Sequence, residues 1–302
     1  MTAIKVGVAG WSYDDWSGIV YPASLAASKR LEYLAQFFDL IEINSSFYGH
    51  IKPAVGRRWC QIVEVVNPDF IFTAKLNRAF THSPMAVEEP TSAKTIRPGP
   101  TDERDAKVGL DSLAEQGRLG AVLIQFPISF KRDVENQAYV ERLVFSFRKY
   151  PLVLEVRHAS WNSEEVFSWL VELGVGLCNI DQPLIGRAIR PGTQATSAIG
   201  YVRLHGRNYK QWFAETNIRD RYNFLYSPKE LERWRDRIHQ IAAKTEKTFV
   251  VANNHNLGKA AVNAIELTSI LEGRKVKAPP LLVSRYPDLR PFASEQLATA
   301  KR

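Results

Sequence analysis

Eight short runs rich in β-branched and aromatic residues recur along this chain, and most are separated by enough sequence for one helix. They are KVGVAGW (5–11), LIEINSSF (40–47), FIFTAKL (70–76), AVLIQFP (121–127), LVLEVRH (152–158), VGLCNID (175–181), YVRLHG (201–206) and TFVVANN (248–254). Between them apolar residues return at helical spacing, as in Leu31, Leu34, Ala35 and Phe38, or Val55, Trp59, Ile62, Val63 and Val66, or Val140, Leu143, Val144 and Phe147. A strand that returns through a helix must pair in parallel with its predecessor, and a parallel sheet needs helices over it. Eight strands is the count at which such a sheet closes with its interior filled by side chains. The expected fold is therefore α/β, a single parallel (β/α)8 barrel of the triosephosphate isomerase type. An open doubly wound sheet carries a glycine-rich first turn, whereas here the first strand runs into AGWSYDDW, which keeps a backbone away from a pyrophosphate.

Two places break the rhythm. The stretch 77–120, with RPGP at 97–100, reads as a long insertion between the third strand and its helix, that helix lying near 102–116. Residues 182–199, with RPGTQATSAIG, carry little helical signal and read as a degenerate sixth crossover. The clearest helix start is SPKELERW at 227, where Ser227 caps, Pro228 takes the first turn and Glu230 completes a capping box; Asn162 with Glu165 is a weaker copy. The barrel is expected over residues 1–290, with 291–302 as a loose tail.

The chain has 302 residues, 45% hydrophobic and 24% charged, enough for one large barrel. No apolar run approaches the roughly 18 residues that cross a bilayer and the N-terminus has no signal-peptide pattern, so a cytoplasmic protein is expected. Cys60 and Cys178 have no metal or redox spacing and read as buried free thiols. A net charge of +8 favours anionic partners. Half of that excess lies between Arg203 and Arg237, where nine Lys/Arg face five Asp/Glu among Tyr209, Trp212, Phe213, Tyr222 and Tyr226.

Strand alternation sorts the polar residues. Glu42 and Asn44, Thr73 and Lys75, Glu155 and Arg157, Asn179 and Asp181, and Arg203 and His205 each oppose apolar neighbours, and all are assigned to the inner face, late in their strands; Gln125 and Asn253 join the ring. Barrel active sites stand at that end. Lys75, Arg157 and Arg203 then form forks and a point charge for a phosphate or carboxylate, and Glu42, Glu155, Asp181, His205 and His158 are the acid–base candidates. The bland alternative is a salt-bridge network that only holds the barrel together. Interleaved cations repel a divalent metal, so no cofactor is expected and a metal is the minority option.

The segments GWSYDDWSGIVYP, EINSSFY, FTAKLNRAFTH, LIQFP, LEVRHASW, IDQP, YVRLHGRN, RYNFLYS and NNHNLGKAAVNA resemble, in order, the successive motifs of the YecE-like family, domain of unknown function 72, over about residues 5–285. Ala9, Ser46 and Ala252 depart from the family's usual residues. The resemblance implies the same single barrel and supplies no activity. It implies pocket positions at Trp11, His82 and Asn254 in addition to those above, as substrate-binding residues with Asn44, Lys75, Gln125, Arg157, Arg203 and Asn253. The expectation is an enzyme, a hydrolase or lyase, acting on a small anionic substrate at the mouth of the barrel. The alternatives are a nucleic-acid-binding protein using 207–237, a glycan-acting enzyme using Glu42 and Glu155, and, because the barrel is similar in outline to those of apurinic endonuclease and xylose isomerase, a metal-dependent phosphodiesterase.

Overall fold

In the computed structural model, which describes residues 3–84, 91–209 and 221–294, eight parallel strands close into a barrel in chain order. They are β1 (Ala3–Ala9), β2 (Leu40–Ile43), β3 (Ile71–Lys75), β4 (Leu119–Gln125), β5 (Leu152–Glu155), β6 (Gly176–Asp181), β7 (Ile199–Leu204) and β8 (Lys247–Ala252), one in each run that the sequence marks. Closure is made by β8 against β1, from Ala3 opposite Lys247 to Val8 opposite Ala252. The approach of β1 to β2 requires Gly7, since a Cβ there would lie 1.8 Å from the Leu40 carbonyl oxygen.

The helices are α1 (Arg30–Leu34), α2 (Ser45–Tyr48), α3 (Pro53–Val66), α4 (Asp102–Ala114), α5 (Val134–Phe147), α6 (Glu164–Leu173), α7 (Pro228–Ala242), α8 (Lys259–Glu272) and α9 (Pro280–Arg285). The predicted Ser227 capping box closes the start of α7, with Pro228 in its first turn. The weaker signal is displaced by one residue: Ser163, not Asn162, caps α6 through its hydroxyl, which accepts from the Val166 N–H at 3.4 Å. The insertion after β3 holds α4, and the crossover from β6 to β7 contains no helix in residues 182–198. Residues 292–294 are tied to the barrel, because Phe292 and Ser294 pair with the backbone of Val276; residues 295–302 of the expected tail lie outside the described residues.

Candidate functional site

Hydrogen bonds settle which side chains enter the barrel. On β7 the sequence alternates Tyr201, Arg203 and, just past the strand, His205 on one face, and all three are fully buried in the lumen. Arg203 lies between two carboxylates from opposite walls. Its Nη2 donates to Glu42 Oε1 at 2.7 Å and its Nη1 donates to Glu155 Oε2 at 2.6 Å and to Gln125 Oε1 at 3.1 Å. Beneath it the Tyr201 hydroxyl donates to Glu42 Oε2 at 2.9 Å and accepts from the Thr73 hydroxyl at 2.7 Å. Above it Arg157 grips Glu155 Oε1 through Nε at 2.9 Å and Nη2 at 2.8 Å. His205 Nε2 stands 3.3 Å from that same oxygen, and Asn253 meets its Nδ1 at 2.9 Å.

This arrangement explains how charge survives in the core. A buried charge needs an opposite partner and full hydrogen bonding, and here both carboxylates have both. Burial alone would raise the Glu155 carboxyl, but Arg203, Arg157 and His205 outweigh it and hold it well below the usual range. Burial likewise opposes charge on Arg203, yet Glu155 and Glu42 hold its guanidinium well above its ordinary value. His205 has no such surplus: burial, with Arg203 and Arg157 beside it, drives it down to about 3 against the pull of Glu155, so it is a neutral imidazole at physiological pH.

Lys75, the last residue of β3, differs from these. It is partly covered, its ammonium lies 5.3 Å from the centre of the Phe47 ring, and among the described residues no hydrogen bond or ion pair takes its Nζ. Burial lowers it from 10.5 to about 7, Arg203 and Arg157 adding repulsion while Glu42 and Glu155 oppose. His82 reaches the same neighbourhood: its ring packs edge-on against Phe47 at 5.0 Å, and burial, then Arg157, Arg78 and Lys75, push it down to about 4. Arg157 keeps 16% of its side chain exposed and so presents its outer edge to the mouth. At the same end, after β1 and β2, Trp11, Tyr13, Asn44, Tyr48 and Trp59 line a hollow of about 460 Å³.

The structure thus brings together Glu42, Lys75, Gln125, Glu155, Arg157, Arg203, His205 and Asn253, with His82 at the rim, and Asn44 lines the neighbouring hollow. It removes others from the cup. Asp181 is on the outer face of β6, where Arg207 Nε approaches it at 3.3 Å and the Trp234 indole N–H donates to it at 3.2 Å. Its companion Asn179 also points outward, to Gln194 of the helix-less crossover, while Cys178 points inward, 4.0 Å from Glu155 Oε2. His158 is a local cap: its Nδ1 accepts from the Ser160 N–H at 3.1 Å. Asn254 ties the loop after β7 to α8 by donating to the Phe224 carbonyl and to Asn263 Oδ1, both at 2.8 Å. Trp11 packs edge-on against Trp59 at 5.0 Å, lining the separate hollow rather than the charged cup.

The acid–base roles expected of Glu42, Glu155 and His205 also need correction. Neither carboxylate has exposed surface, each being closed off by Arg203, and the imidazole gains a proton only in strong acid. The same occupation of both carboxylates removes the paired-acid glycan reading, which needs a sugar between them. Tyr201 was missed, although it shares the parity of Arg203 and its phenol orients Glu42. Among the described residues no three His, Cys, Asp or Glu side chains gather as a metal-holding group. No helix among them is long and apolar enough to cross a membrane. Residues 210–220, including Trp212 and Phe213 of the basic aromatic segment, lie outside the described residues.

The model of a family described as "Protein of unknown function DUF72" matches residues 5–285. The chain belongs to the DUF72 family. It is 30% identical over 283 residues to the UPF0759 protein YunF of Bacillus subtilis, a match covering 89% of this chain and 95% of that one. The crystal structure of a DUF72 family protein from Thermotoga maritima matches at 32% identity with a TM-score of 0.76, covering 89% of this chain and 99% of the other. A DUF72 family protein from Enterococcus faecalis shares the fold at 21% identity, TM-score 0.73, over 89% of this chain and 95% of the other.

Proposed function

We propose that this DUF72 member is a cytoplasmic enzyme that binds a small phosphate- or carboxylate-bearing substrate at the carboxyl end of the barrel, with Arg157 holding the anion and Lys75 carrying the proton. One observation carries the reading: in a cup where Arg157, Arg203, Glu42 and Glu155 are paired, the Lys75 ammonium has no ion-pair or hydrogen-bond partner among the described residues. The paired charges have a supporting role. Glu155 fixes the inner edge of Arg157 and leaves the outer edge for a ligand, and Arg203 fixes Glu155. An amine that loses its proton near neutrality can accept one from a bound substrate, the task first given to Glu42, Glu155 and His205. The reaction class that fits is proton abstraction in a lyase or a related step in a hydrolase.

The test combines binding and reactivity. Inorganic phosphate and malonate, each at constant ionic strength, are expected to raise the melting temperature of the wild type and not that of Arg157→Met, while Arg157→Lys keeps part of the gain. Competitive acylation read by mass spectrometry is expected to give Lys75 a midpoint near pH 7 and to be slowed by either anion. Equal melting gains in wild type and Arg157→Met, or acylation of Lys75 with an ordinary lysine profile, would overturn the proposal.

A further inference from the structure

The helix-less sixth crossover has a second consequence, on the outside of the barrel. Where a crossover helix would cover β6 and flank α7, residues 182–198 leave a cavity of about 330 Å³. Its floor is Asp181 and Trp234, and its charged walls are Arg190, Arg207, Arg233 and Arg237 with Glu230. Arg207 takes both acidic groups, at 3.3 Å from Asp181 and 2.7 Å from Glu230. Arg190, Arg233 and Arg237 then have no carboxylate partner among the described residues. Arg233 and Arg237 are one turn apart on α7, a spacing at which like charges repel. Arg237 is held in place against the Trp234 ring, 5.2 Å from its centre.

We infer that this cavity is an anion site separate from the barrel mouth, and that its ligand is a small organic phosphomonoester. Three guanidinium groups without a carboxylate partner among the described residues, from two separate segments around one hollow, match the three free oxygens of a phosphate better than the two of a carboxylate. The volume exceeds that of inorganic phosphate alone and suits a small molecule. The remaining wall consists of Leu184, Pro191, Tyr209 and the Trp234 ring, so the organic part is flat or apolar. The inference is independent of the chemistry proposed for Lys75, which lies within the barrel.

Phenyl phosphate is the probe, with inorganic phosphate beside it, titrated calorimetrically into the full chain at fixed ionic strength. Saturable binding of phenyl phosphate, tighter than that of inorganic phosphate, is expected in the wild type. Arg190 and Arg233 are exposed, so Arg190→Ala with Arg233→Ala is expected to keep the wild-type melting temperature while weakening phenyl phosphate at least tenfold. Tyr209→Ala is expected to weaken phenyl phosphate alone, and the cavity's binding is expected to persist in Arg157→Met, where the anion holder proposed for the barrel mouth is removed, and there to depend on Arg190 and Arg233. Absence of saturable binding in the wild type, equal binding with and without Arg190→Ala and Arg233→Ala in the Arg157→Met background, or loss of all binding in Arg157→Met alone would each overturn the inference. So would a single-stranded oligonucleotide that depends on Arg190 and Arg233 and binds where phenyl phosphate does not, since the site would then read a nucleic-acid backbone.

Discussion

Replacing Lys75 by methionine keeps an unbranched apolar stem and removes the amine, so it isolates the energetics of a buried charge that no carboxylate among the described residues pairs. Lowering an ammonium from 10.5 to about 7 corresponds to about 5 kcal/mol of stability lost when the folded protein carries the charge. The sign follows from proton counts. Between pH 7 and pH 10.5 the unfolded chain holds the Lys75 proton and the folded one does not, so this residue makes wild-type stability rise with pH across that window. Below pH 7 both states are protonated and the full cost is present; above 10.5 it is gone. The side chain keeps some contact with water, which screens part of this cost. Lys75→Met is therefore expected to be more stable than the wild type by about 2–5 kcal/mol at pH 6, with the gain falling towards zero near pH 10.5. Urea unfolding at pH 6, 8 and 9.5 measures it. The buried tyrosines that resist ionisation, Tyr13 and Tyr201 among them, cancel in the difference because both proteins contain them. A difference that does not change with pH would refute the reasoning, and so would a variant less stable than wild type at pH 6.

Three further outcomes follow from the same structure. Glu266, buried on α8 with Asn263 donating to it at 2.8 Å and Asp288 nearby, is pushed up to about 7 by burial, so its cost is absent below pH 4.5 and complete above 7. Glu266→Gln is thus expected to gain up to about 3 kcal/mol at pH 8 and nothing at pH 4.5 in chemical denaturation. Arg203→Met strands the Glu42 carboxylate in the lumen and takes one of two arginines from Glu155, so a loss of about 3–5 kcal/mol is expected at pH 7, read by thermal melting. Gly7→Ala drives a Cβ into the Leu40 carbonyl, a backbone obstacle that cannot rotate away, and is expected to cost about 3 kcal/mol or more, seen as a lowered urea midpoint.

The barrel was readable because its signal is repeated eight times. Each run is bounded by turn residues and separated by a helix-length segment, so an error in one element could not change the closure. The insertion holding α4 and the missing sixth helix were readable for the same reason, as interruptions of a regular pattern. The charged cup was half readable. Period-two alternation placed Glu42, Lys75, Glu155, Arg203 and His205 together, yet it says nothing about which charges neutralise each other. Three-dimensional pairing turned Glu42 and Glu155 from candidate catalysts into the clamp around Arg203, and left Lys75 without an ion-pair partner among the described residues.

The one strand assigned to the wrong face shows what alternation omits. On β6 the rule that polar residues face the lumen sent Asn179 and Asp181 inward, but it assumes that the other face is covered by an apolar helix. At this crossover no helix exists, and an extended segment must be held by hydrogen bonds instead. Asn179 supplies two of them, donating to the Gln194 carbonyl at 2.8 Å and accepting from the Gln194 N–H at 2.9 Å. Asp181 anchors Arg207 and Trp234 over the same gap. The lumen needs nothing polar from β6, because Glu155 is already satisfied by Arg203 and Arg157, and Cys178 fills the space. Both signals were in the sequence: a crossover rich in Pro, Gly and Thr between 191 and 196, and a polar pair just before it. Taken together they place the polar side of β6 outward, because the face of a strand that lacks a helix must bond to whatever chain lies there.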